Sequence, residues 1–201
     1  MRRGRDGQEI RFSFEKKVSS PDDGRPYTIS VDFLTCDEGM LERHRHRTVQ
    51  PSLPARVAKG CELAFAHHYP REMRGLLPEN GTTVTKMNVL DLAGCIGMKG
   101  IVLGERYKEK DAYDIFTVIS QCLSGPCEVS SVVRPFMEED AMRTGIRNIS
   151  DKFRSIDSEG ASWVGNFLHG ADLEQKKRTQ AECYVVIGQF LEGLAIERGK
   201  P

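Results

Sequence analysis

Two parts of this sequence bring together residue types that could do chemistry. One is a lone carboxylate inside an apolar run, Val31-Asp32-Phe33-Leu34. The other is the stretch from Met98 to Ile115, which sets out Lys99, Arg106, Lys110, Asp111 and Asp114 in that order. On an unbroken helix, Lys99, Arg106, Lys110 and Asp114 would fall within an arc of about 80°. Three cations and one acid on a face could hold a triphosphate, with the lysines as point charges and Arg106 as a bidentate fork. The acid would orient the lysine or a substrate hydroxyl. The same residues also read as a solvated face with charge pairs one turn apart, Asp111 being the N-cap after a short turn.

Other candidates are weaker. In the run Arg43-His44-Arg45-His46-Arg47, the guanidinium charges oppose a cation at His44 and His46, so a solvated basic loop is the expectation. His67-His68 reads as a loop or edge-strand pair rather than as ligands. The cysteines at 36, 61, 95, 122, 127 and 183 are scattered without a CxxC pair, which points to reduced, mostly buried thiols and away from a zinc site or a disulfide framework.

The elements that must position these groups follow from periodicity. Residues Arg11 to Lys16 and Tyr27 to Leu34 alternate with a period of two. The turn chemistry of Ser19 to Pro26 lies between them, so an antiparallel hairpin with a long loop is expected, with Tyr27, Ile29, Val31 and Phe33 on one half-buried face and Asp32 on the other. Asp37 to Pro54 reads as a loop, Cys61 to Ala66 as a short strand, and Thr82 to Leu90 as a β-branched strand. From Leu92 the apolar spacing changes to three and four, and the rest of the chain reads as helices, with Ser150 or Asp151 and Asp172 as N-caps and Trp163 in a core. Gly94, Gly97, Gly100 and Gly104 on one helix imply close approach by another backbone or by a ligand. The expected fold class is α+β, with a sheet-bearing part over residues 1–90 and a helical region over 91–201.

Composition bounds the function classes. A chain of 201 residues with 39% hydrophobic and 29% charged residues suits a soluble globular protein. Lys+Arg and Asp+Glu balance at 29 each, so there is no general pull toward nucleic acid and any polyanion site must be a local patch. No apolar stretch approaches the roughly 18 residues that a membrane span needs, and the charged start has no apolar core of a signal peptide behind it. The cytoplasm is the expected compartment.

The block from Lys99 to Ile115 resembles the helical motif of nucleotidyltransferases of the AbiEii/AbiGii toxin family. That motif is Lys, two residues, Ala-Leu, two residues, Arg, three residues, Lys or Arg followed by Asp, two residues, and Asp with Ile or Leu. Here Val102-Leu103 stands where Ala-Leu is usual, and the spacing of Lys99, Arg106, Lys110, Asp111 and Asp114 agrees. The resemblance runs from about residue 9 to about residue 120. It implies a partial nucleotidyltransferase-type sheet followed by a helical bundle, Mg²⁺ as cofactor, and transfer of a nucleotide from a nucleoside triphosphate to a hydroxyl of tRNA or of a protein. A cognate antitoxin is the implied partner. It also implies roles: Asp32 as the third metal-side acid and general base, Lys99 as the triphosphate contact, and Asp114, or else Asp111, as the acid that positions it. Arg106 and Lys110 add phosphate charge.

The family's sheet carries Gly-Ser or Gly-Gly followed by an Asp-x-Asp pair before that third acid, and no such segment precedes Asp32. Asp22-Asp23 sits in a Pro/Gly loop and does not supply it. Two-metal nucleotidyl transfer needs bridging carboxylates. The expectation is therefore a chain inactive in transfer as it stands, either because its frame begins late or because it is a degenerate relative acting as an interaction protein in toxin-antitoxin or phage defence. If strands are missing ahead of the hairpin, its unpaired sheet edge is expected to favour association.

Overall fold

Strands and one short helix occupy the chain up to Leu90, and helices follow from Leu92, where the apolar spacing changes; the class is α+β. The computed structural model describes residues 2–3, 9–20, 22–36, 46–77 and 81–196. Arg43, His44 and Arg45 lie outside these, and so do the side chains of His46 and Arg47.

Two compact units are present, Met1–Glu62 and Leu63–Pro201. In the first, β1 (Arg2–Arg3) pairs with β2 (Glu9–Ile10), and β3 (Ser13–Ser19) forms the expected antiparallel hairpin with β4 (Pro26–Asp32). The hairpin register sets Ser13 opposite Asp32 and Val18 opposite Tyr27. The face bearing Tyr27, Ile29 and Val31 is not half-buried; these side chains are exposed, because among the described residues this sheet has two strands and no layer stands on that face. A three-stranded sheet of order β5-β7-β6 follows, with β5 (Leu34–Thr35) parallel to β7 (Leu53–Val57) and β6 (His46–Gln50) antiparallel to it. The segment expected as a loop from Asp37 to Pro54 thus ends in a strand and a tight turn, in which Ser52 adopts a positive φ of 66°. Ala55, Val57, Thr35 and Ser13 are buried in this unit.

The second unit begins within α1 (Cys61–Ala66), where a strand was expected. A six-residue apolar run does not separate the two periods, and Glu, Leu and Ala favour the helix. The hairpin β8 (His68–Leu76) and β9 (Thr82–Leu90) follows, paired in unbroken register from His68 opposite Leu90 to Leu76 opposite Thr82. The division of the chain therefore falls before this hairpin, earlier than residue 90. The hairpin is tied to the helices through His67, whose carbonyl accepts the Asp91 N–H at 3.0 Å and whose own N–H reaches the Leu63 carbonyl at 2.8 Å.

Among the described residues the unit continues with the α-helices α2 (Leu92–Glu105), α3 (Glu109–Gln121), α4 (Pro126–Val133), α5 (Asp140–Lys152), α6 (Glu159–His169) and α7 (Leu173–Gly193). Asp172 caps α7, its carboxylate accepting from the Gln175 N–H at 3.1 Å. Ser150 and Asp151 are not caps; α5 runs through them, with Ser150 buried. Of the glycines of α2, Gly100 meets the backbone of α5: a Cβ on Gly100 would lie 2.3 Å from the Gly145 carbonyl oxygen, and Asn148 donates to the Gly100 carbonyl at 3.1 Å. Close helix approach thus accounts for this glycine, at the cost of the propensity that Ala would bring. Ile96, Leu103, Ile115, Ile119, Ile146, Ile149 and Ile187 fill the core between these helices. Among the described residues, no helix is long and apolar enough to cross a membrane.

Candidate phosphate site at the corner of two helices

α2 starts under the Asp91 cap, which accepts from the Gly94 N–H at 2.8 Å, and it stops at Glu105 because Arg106 turns extended at φ −146° and ψ 151°. Lys108 is extended as well, and α3 begins at Glu109. The premise of an unbroken helix through Lys99 and Asp114 is therefore wrong, since the chain folds back over three residues. The five charged residues are nevertheless brought together, by the fold of the corner rather than by one helix face.

Asp111 is the centre of the cluster. It lies in the first turn of α3, where the helix dipole favours an acid, and its side chain is 2% exposed. Arg106 grips it with two bonds, Nε to Oδ2 at 2.8 Å and a terminal nitrogen to Oδ1 at 3.2 Å. From α2, Lys99 Nζ donates to Asp111 Oδ1 at 3.3 Å and, more closely, to Asp114 Oδ2 at 2.6 Å. Lys110 closes the set on Asp114, one turn away on the same helix, at 2.8 Å to each oxygen. Three cations thus meet two carboxylates, which leaves one positive charge in excess.

Burial works against the Lys99 ammonium, but the hydrogen bond and charge of Asp114, with those of Asp111, outweigh it and hold the pKa above the ordinary lysine value. Burial likewise works against the Asp111 carboxylate, and the hydrogen bonds and charges of Arg106 and Lys99 outweigh it, so its pKa falls below 3.8. Asp114 follows the same logic through Lys110 and Lys99. Arg106 is raised by its bond to Asp111. Lys99, Arg106, Asp111 and Asp114 are each shifted toward their charged forms. Lys99 keeps about a third of its side chain (32%) in solvent, while Arg106 and Lys110 are more exposed still. Such a corner can receive an anion on its solvent side while the carboxylates hold the cations from behind.

The remaining sequence candidates fall elsewhere. Asp32, at the end of β4 in the first unit, accepts a hydrogen bond from the buried Ser13 hydroxyl. Among the described residues, no group of three or more His, Cys, Asp or Glu side chains is set to hold a metal ion. His67 lies in the bend between α1 and β8, outside both elements as expected, but it is buried: its Nε2 lies 2.8 Å from a Glu139 carboxylate oxygen, and its ring packs on Phe136. His68 opens strand β8. Of the thiols, Cys61 and Cys183 are buried, Cys127 is exposed and the rest are half-buried. Sequence reasoning missed the aromatic contact of Tyr107 with Trp163, whose only signal was a single tryptophan assigned to the core.

Comparison of the chain with protein-family models, with curated proteins and with solved structures finds no match.

Proposed function

We propose that the chain is a nucleotidyltransferase-type protein, similar to the AbiEii/AbiGii toxins, in which the α2–α3 corner takes the phosphates of a nucleoside triphosphate. The observation that carries this reading is the seating of Lys99. Its ammonium is fixed at 2.6 Å by Asp114 and keeps its charge, yet part of the side chain remains open to solvent. A lysine prepared in this way is a point charge for a phosphate, and Arg106 and Lys110 stand beside it on the same two carboxylates. Asp114 is the acid that positions Lys99, with Asp111 in support. Asp32 is the metal-side acid and candidate general base of this reading, and magnesium there needs carboxylates beyond it. The acceptor hydroxyl belongs to tRNA or to a protein, and an antitoxin is the regulating partner.

The test is equilibrium binding of the four nucleoside triphosphates, each labelled at the α-phosphate, in the presence of magnesium. Saturable binding of at least one, competed by inorganic tripolyphosphate, supports the reading. Absence of binding for all four removes it.

A second reading, that of a non-catalytic interaction protein, rests on the β8–β9 hairpin. Its register places Tyr69, Met73, Met87 and Val89 on one face, and the first three are about half exposed. If this face docks a partner, Met73→Lys abolishes co-purification with the product of an adjacent gene while nucleotide binding is unchanged.

A further inference from the structure

The turn between α2 and α3 presents a second side that the phosphate cluster does not use. Arg106 and Lys108 are both extended, with φ −146° at each. Alternate side chains of extended backbone leave in opposite directions, so Tyr107 departs from the side opposite Arg106. Arg106 reaches Asp111; Tyr107 reaches α6, where its ring meets Trp163 edge to face at 5.6 Å. Lys152 of α5 stands 5.2 Å from the centres of both rings and is itself held by Glu159. Two side chains, Trp163 and the Glu159-held Lys152, thus contact the Tyr107 ring, yet Tyr107 remains 82% exposed.

A large aromatic ring held in place but left uncovered at a cationic corner is a prepared stacking surface. Its orientation is set before a ligand arrives, so little freedom is lost on binding. Every nucleobase offers a π-face to such a ring. We propose that Tyr107 stacks the base of the nucleotide whose phosphates engage the Lys99–Arg106–Lys110 cluster, so that the bound nucleotide straddles the turn. This deepens the phosphate reading of that corner and rests on it. The stack is indifferent to base identity, because nothing on the ring reads hydrogen-bonding edges.

The experiment titrates the wild-type chain, Tyr107→Ala and Tyr107→Phe with ATP and with inorganic tripolyphosphate at the same magnesium concentration. The wild type is expected to bind ATP about tenfold or more tighter than tripolyphosphate, a margin in keeping with one base–aromatic stack. Tyr107→Ala is expected to erase that margin while leaving tripolyphosphate affinity unchanged, which also reports that the corner is still folded. Tyr107→Phe is expected to keep the margin. A margin that survives Tyr107→Ala, or no margin in the wild type while tripolyphosphate binds, overturns the stacking inference alone. Binding of neither ligand overturns the phosphate reading and this inference with it.

Discussion

Arg106 and Asp111, five positions apart, face each other across the turn that ends α2, with the guanidinium Nε 2.8 Å from a carboxylate oxygen that solvent barely reaches. The pair locks the fold-back of the chain at the point where Lys99 needs two acids at once.

Because the acid is the buried partner, removing its main cation is more damaging than removing an exposed one. Arg106→Ala leaves Asp111 with Lys99 alone and is expected to cost about 2–3 kcal/mol, somewhat under the usual figure for breaking a buried pair because the guanidinium itself is half exposed. Lys110→Ala removes an exposed pair one helical turn apart and is expected to cost less than about 0.5 kcal/mol. Urea unfolding of the two variants checks the contrast; equal costs would mean that Asp111 is not held as described.

The same network sets a pH dependence. Asp111 and Asp114 have folded pKa values below 3.8, so their stabilisation is present above that value and is lost as pH falls through the lower folded values. Lys99 is raised, so its contribution is complete below the ordinary lysine pKa and is lost only in alkali, above it. Melting temperature is expected to hold from about pH 5 to pH 9 and to drop on the acid side, with a shallower acid limb in Asp111→Asn. An acid limb unchanged in that variant contradicts the assignment.

The helix approach at Gly100 gives a packing prediction. Gly100→Ala drives a Cβ to 2.3 Å from the Gly145 carbonyl oxygen, backbone that cannot rotate away, and is expected to cost about 3 kcal/mol or more. Gly75→Ala, in β8 with nothing within 4 Å of the added Cβ, is expected to leave stability unchanged or slightly raised. Thermal unfolding of both variants decides it.

Thiol reactivity orders the cysteines. Burial pushes the Cys183 thiol up to about 12, whereas Cys127 is exposed. At pH 8, Cys127 is expected to react first with a disulfide reagent and Cys183 only on unfolding. Mass spectrometry of the partially modified protein checks the order.

What the sequence made legible follows from how local each signal is. The β3–β4 and β9 strands and the Asp172 cap are written in alternation and in a single side chain, and they stand in the structure where expected. Cys61–Ala66 was too short to distinguish strand from helix by period. The spacing of the charged block does not decide between one helix face and a short turn ahead of Asp111, because neither proline nor a turn pair marks the break at Arg106-Tyr107-Lys108. The five residues meet all the same, since spacing suited to one face also suits two helices folded on a short turn. The centrality of Asp111 was not legible, because burial depends on α2 and α3 packing together. Tyr107 and Trp163 were hidden for a similar reason: they lie far apart in sequence and meet only through the bundle.

Lys99 remains the residue on which the functional account turns, and its replacement is informative because the fold does not depend on it alone. Without Lys99, Asp111 keeps Arg106 and Asp114 keeps Lys110, so the corner stays closed. The direct measurement is nucleoside triphosphate affinity of the wild type and of Lys99→Ala by titration calorimetry with magnesium, alongside their urea midpoints. The account predicts at least about a tenfold loss of affinity, roughly 1.4 kcal/mol, with the urea midpoint nearly unchanged. Equal affinity in the two proteins, at equal stability, would contradict it and leave the corner as a structural clasp between α2 and α3.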